Sequence, residues 1–88
     1  SNKFDYTPNE VKATVRFHNS VKWRLADEFE NQSLNNDENE YITVTLTWSD
    51  AESFYQHIST FGDKAEIIAP KEYREEFKRI IKNIYDKY

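Results

Sequence analysis

YITVTLTWSDAESFYQHISTFGDKAEIIAP, running from Tyr41 to Pro70, is the stretch whose reading decides the fold. Ile42, Val44, Leu46 and Trp48 alternate with Tyr41, Thr43, Thr45 and Thr47. A period of two in β-branched and aromatic residues marks a strand with one buried face and one polar face. Ser49 and Asp50 then offer an N-cap, and Glu52 follows Ser49 at the spacing of a capping box. Phe54, Ile58 and Phe61 form a single apolar stripe at helical spacing. Gly62, the sole glycine of the chain, stands where a helix ends in left-handed backbone. Ala65, Ile67 and Ile68 predict a short second strand, and Pro70 suits the first turn of another helix.

Outward from this stretch the same reasoning covers most of the chain. Val11, Ala13, Val15 and Phe17 alternate with Lys12, Thr14, Arg16 and His18, which predicts a first strand with a polar outer face. Asn19 and Ser20 are the expected caps of a short helix with the stripe Val21, Leu25 and Phe29, flanked by Trp23 and Ala26. Residues 31–40 are rich in Asn, Asp and Glu, with Leu34 the one substantial apolar side chain. They read as a weak edge strand around Gln32-Ser33-Leu34 and a solvated turn from Asn35 to Asn39. After Lys71, the residues Tyr73, Phe77, Ile80, Ile81, Ile84, Tyr85 and Tyr88 recur at helical spacing. Glu72, Glu75 and Glu76 precede Lys78, Arg79, Lys82 and Lys87, an order that complements the helix dipole.

An 88-residue chain has room for one core. Six Phe, six Tyr and two Trp must supply much of its burial. No cysteine is present, which removes disulfides and thiolate metal ligands and fits a reducing, cytoplasmic setting. No apolar run approaches the length of a membrane helix. The net charge of −4 argues against broad attraction to a phosphate backbone but leaves room for one basic face. Ser1 and Asn2 read as the remnant of an expression tag, and residues 1–10 as the end of a linker from a preceding domain; the folded unit is expected over residues 11–88.

The element order is β-α-β-β-α-β-α. Two β-α-β units joined by a hairpin close compactly as an α+β, ferredoxin-like four-stranded antiparallel sheet. Two helices are expected on one face, with a C-terminal helix added. The opposite face would then carry Lys12, Thr14, Arg16, His18, Thr43, Thr45, Thr47, Glu66 and Ile68.

Candidate chemistry is sparse. His18 and His57 have no second histidine at ligand spacing, the carboxylates of 37–40 lie in a turn, and one glycine cannot build a phosphate-cradling loop. Trp48 belongs to the buried side of its strand, whereas Trp23 lies off its helix stripe and either covers an edge or faces a partner. The strongest candidate is the row Lys12, Arg16 and His18 on outer strand positions, with side chains spaced at roughly 7 Å per two-residue repeat. Such a row can hold anions, nucleotide phosphates included. It can equally be a solvated strand face balanced by Glu66 and the threonines. An RNA-recognition domain shares the fold, but its base-stacking aromatics lie on the exposed face. Here Phe17 and Trp48 point inward.

These pieces resemble the WCX domain, the C-terminal extension of WYL-domain transcriptional regulators of the DeoR type. The resemblance rests on VKATVRF ending in Arg16-Phe17, on YITVTLTW, on the helix end Ser59-Thr60-Phe61-Gly62, on Ala65 to Pro70, and on the closing tyrosines Tyr85 and Tyr88. It implies a bacterial regulator with an N-terminal helix-turn-helix that contacts DNA, a central WYL domain and this domain last. It also implies roles in dimerisation and effector sensing, a nucleotide or nucleic acid as possible effector, and Arg16 as the family's arginine. The glycine-free turn at 35–39 departs from the pattern. The expected function is therefore non-enzymatic and regulatory, without a cofactor. The alternative is a stand-alone ferredoxin-like module that binds a small molecule, or a small enzyme.

Overall fold

The computed structural model describes residues 9–28, 35–36 and 40–88. The chain runs as β1 (Val11–His18), a 3₁₀ turn (Asn19–Val21), α1 (Lys22–Glu28), β2 (Asn35–Asn36), β3 (Tyr41–Trp48), α2 (Ala51–Ser59), a second 3₁₀ turn (Gly62–Lys64), β4 (Ala65–Ala69) and α3 (Lys71–Tyr85). The sheet order is β2-β3-β1-β4, and every neighbouring pair is antiparallel.

β1 and β3 form the centre, paired without a break from Val11 opposite Trp48 to His18 opposite Tyr41. Their alternation therefore sets one apolar and one polar face. Val11, Ala13, Val15 and Phe17 meet Ile42, Val44 and Leu46 on the inner face, and all seven are buried. Leu25 of α1, Phe54, Tyr55 and Ile58 of α2, Phe61 and Ile67 complete the same core. Burying each of the large side chains contributes about 1.5–3 kcal/mol. Phe17 and Phe61 meet edge to face, with centroids 4.9 Å apart. α3 joins this side too. Its Tyr73, Phe77 and Ile80 pack on the core, and the Phe77 ring stacks on Tyr55 at 5.8 Å. All three described helices thus lie on the apolar side, and among the described residues no helix covers the polar side.

Three strands are full length, whereas β2 is two residues long, with Asn35 opposite Thr43 and Asn36 opposite Ile42. The described residues establish a mixed α/β domain with an antiparallel open sheet and a C-terminal helix. They do not reach the complete four-strand ferredoxin-like arrangement. Asn35 and Asn36, expected in a turn, pair with β3 instead, because an exposed strand edge offers backbone partners whatever side chains arrive. The edge strand expected at Gln32-Ser33-Leu34, residues 37–39 and Phe29 lie outside the described residues.

The local signals were realised with several changes. Asp50, not Ser49, caps α2: its carboxylate accepts from the Ser53 amide at 2.8 Å, and no capping box with Glu52 forms. Asp50 prevails because its extended backbone aims an anionic acceptor at the first turn. Asn19 and Ser20, expected to cap the first helix, instead belong to the 3₁₀ turn ahead of α1, which is capped by His18, whose Nδ1 accepts from the Ser20 amide at 3.1 Å. Gly62 has φ +60° but stands two residues past Thr60, the last cap of α2, where it opens the second 3₁₀ turn. Pro70 occupies the cap of α3 rather than its first turn. Glu40 adopts φ 67°, and its carbonyl accepts from the Asn19 amide at 2.8 Å. A side-chain-bearing residue thus takes the left-handed position that glycine ordinarily fills at the entry to β3.

Candidate functional site

The outer positions of β1 aim Lys12, Thr14, Arg16 and His18 at the open face because strand side chains alternate. β3 sets Thr47, Thr45, Thr43 and Tyr41 directly opposite them. On the other side of Arg16 stands Glu66 of β4. Arg16 therefore sits mid-sheet, between a hydroxyl and a carboxylate. Between Thr14 and Val15 the β4 register slips, so that Ile68 has no partner in the ladder.

The guanidinium carbon of Arg16 stands 4.2 Å from the Tyr41 ring centroid, a cation–π contact. The His18 ring meets Tyr41 edge-on, with centroids 5.7 Å apart. Arg16, Tyr41 and His18 form one half-buried group at one end of the face. Lys12 is exposed and stands apart, four residues along the strand from Arg16, or roughly 13 Å. The expected basic row is thus divided: two of its members gather on Tyr41 and the third does not. His18 also has a structural duty. Its Nδ1 faces the Ser20 amide and lies 2.8 Å from the Ser20 hydroxyl, which leaves Nε2 as the nitrogen turned to other contacts.

Glu66 is engaged from outside the face. Arg74 of α3 donates to its carboxylate at 2.7 Å and to the Ile67 carbonyl at 2.8 Å. Sequence reasoning passed over both Tyr41 and Arg74. Tyr41 was visible as an outer aromatic of β3, but its place beside Arg16 depends on the β1–β3 register. Arg74 required the path of α3 along the edge of β4.

His57 and Arg24 make packing contacts away from this face. His57 stacks on Trp48 at 4.8 Å and meets Phe61 edge-on at 5.5 Å. Arg24 of α1 lies 3.8 Å from the Phe61 ring centroid and donates to the Thr60 hydroxyl at 3.0 Å, tying α1 to the end of α2. Trp23 is 69% exposed, so it does not close an edge of this domain. Burial pushes the Tyr55 phenol up, and the hydrogen bond from Arg79 holds the Glu76 carboxyl down; both lie on the helical side, away from the open face. Among the described residues no group of three or more His, Cys, Asp or Glu could hold a metal ion. No described helix is long and apolar enough to cross a membrane.

Fold and face together define a small antiparallel α/β domain that turns its helices to one side and a polar sheet to the other. The family model of the WCX domain matches residues 9–85, and the chain belongs to the WCX domain family. That membership identifies it with the C-terminal domain of WYL-type regulators. No curated protein matches the sequence.

Proposed function

We propose that this chain is the C-terminal regulatory domain of a bacterial WYL-type transcriptional regulator. It contributes to effector sensing and dimerisation, performs no catalysis itself, and leaves DNA contact to a helix-turn-helix domain of the parent protein. The observation that carries this reading is the uncovered sheet face of a WCX domain with Arg16 held over Tyr41. Arg16 is the principal contact for an anionic effector, nucleotide or nucleic acid. His18 adds a second polar group beside it, and Lys12 supplies longer-range attraction. The strand order β2-β3-β1-β4 supports a completed ferredoxin-like sheet in which β2 is part of a fourth edge strand. The adjoining WYL domain of the same chain, in the cytoplasm, is the partner through which binding at this face biases the DNA-binding part. Such coupling requires contacts that differ between two states.

The test is a titration of the full-length parent regulator with a short single-stranded oligonucleotide, comparing the wild type with Arg16→Ala. Loss of most of the affinity, with an unchanged unfolding transition, is the expected result. Equal binding by both proteins removes Arg16 and this face from the proposal.

A further inference from the structure

Register makes Arg16 of β1 and Glu66 of β4 direct neighbours on the open sheet face. Cross-strand partners of opposite charge stand roughly 5 Å apart at Cβ and ordinarily attract each other. These two do not pair. The Arg16 guanidinium is turned toward β3, 4.2 Å from the Tyr41 ring centroid. The Glu66 carboxylate is turned the other way, to Arg74 of α3, whose Nη1 donates to it at 2.7 Å. Among the described residues Glu66 makes its ion pair with Arg74 and none with Arg16. The same Nη1 donates to the Ile67 carbonyl at 2.8 Å, which anchors Arg74 at the edge of β4. Tyr73 and Phe77, on either side of Arg74 along α3, pack on the core and fix where the helix lies.

Where that carboxylate points decides the local charge of the face. On Arg16 it would neutralise the guanidinium and take up donors that an anion requires. On Arg74 it is balanced at the sheet edge instead. Both side chains of the Arg74–Glu66 pair are about half exposed, so the bond is weak and the carboxylate can exchange between two guanidiniums. The Ile67 carbonyl tips this competition, because it holds Arg74 in place beside Glu66 whether or not the ion pair has formed. We infer that Arg74 is a positioning residue for the proposed anion site: it holds the Glu66 carboxylate off Arg16, and α3 thereby sets the charge of the open face. The two placements of Glu66, on Arg74 or on Arg16, are the differing contacts that coupling between α3 and an effector requires. An anion on Arg16 favours the first placement, and by reciprocity a shift of α3 that withdraws Arg74 weakens the anion. This inference rests on the effector reading of Arg16 and adds the residue that regulates it.

The test is a double-mutant cycle in the full-length parent regulator, titrated with a short single-stranded oligonucleotide. Wild type is compared with Arg74→Ala, Glu66→Gln and the double variant, and urea midpoints check that each is folded. Arg74→Ala is expected to weaken binding by roughly threefold to fivefold, because it releases Glu66 to Arg16. Glu66→Gln alone should change affinity by less than about twofold, since Arg74 already holds that carboxylate. The double variant should return to within about twofold of wild type, a rescue that loss of a distant cation would not produce. Unchanged affinity in Arg74→Ala, or a Glu66→Gln effect of the same size with and without Arg74, would overturn the inference while leaving Arg16 as the contact. Absence of binding by the wild type would overturn the effector reading, and the inference with it.

Discussion

Arg16 and Tyr41 sit on adjacent central strands with the guanidinium 4.2 Å from the ring centroid, on the side of the sheet that none of the described helices covers. Their contact is diagonal: Arg16 is in register with Thr43, and Tyr41 with His18. The pairing holds a long, flexible cation at one place on an otherwise threonine-rich surface. Tyr41→Leu removes the ring face but keeps a strand-compatible side chain. It should cost about 0.5–1 kcal/mol in urea unfolding, and oligonucleotide affinity should fall in the parent protein although Arg16 is intact. Unchanged affinity would show that the ring does not position the arginine.

Phe17 is fully buried and meets Phe61 edge to face, which joins the centre of the sheet to the end of α2. Phe17→Ala should cost about 3–5 kcal/mol, comparable with the whole stability of a small domain. Circular dichroism should show loss of the cooperative transition. Phe17→Leu should retain a folded protein with a lower urea midpoint. A full-strength transition in the alanine variant would place the core elsewhere.

Asp50 gives the cap of α2 a pH dependence. Hydrogen bonds from the Ser53 amide and hydroxyl hold its carboxyl below the ordinary value of 3.8. A folded-state value below the unfolded one favours the folded state above pH 3.8, and the contribution disappears as pH falls through the depressed value. Asp50→Asn keeps an acceptor at the cap and should lose this acid dependence, whereas Asp50→Ala should lower the melting temperature at neutral pH. Melting curves between pH 2 and 7 distinguish the two. Parallel pH profiles for wild type and Asp50→Asn would exclude the cap as the source.

Gly62 and Glu40 share left-handed backbone, at φ 60° and φ 67°, but differ in side chain. A Cβ added at Gly62 meets nothing within 4 Å, so Gly62→Ala tests backbone strain alone and should cost about 1 kcal/mol. Glu40→Gly relieves that strain while loosening the unfolded chain, so it should be neutral or stabilising by about 0.5 kcal/mol. In urea unfolding, a lowered midpoint is expected for Gly62→Ala and an unchanged or raised one for Glu40→Gly. A destabilising Glu40→Gly would mean that the Glu40 side chain contributes more than its backbone conformation costs.

The strand and helix periods were legible because burial on one side imposes them. β1, β3, α2, β4 and α3 follow directly from the spacing of their apolar residues, and the uncovered polar face follows from the alternation Lys12, Thr14, Arg16, His18. Caps were harder to read. Ser49 and Asp50 both have the chemistry to cap α2, and the choice depends on the backbone angle at which the chain leaves β3.

By itself the sequence determined the sheet with two unlike faces, the first two helices on one of them, and the family to which the chain belongs. Only the tertiary structure decided what surrounds each polar group. Register places Tyr41 beside Arg16 and parts Lys12 from both, while the course of α3 brings Arg74 to Glu66. Periodicity is a property of one element and can be read along the chain. A contact between elements depends on how two of them are aligned and angled, which the packing of the whole core sets.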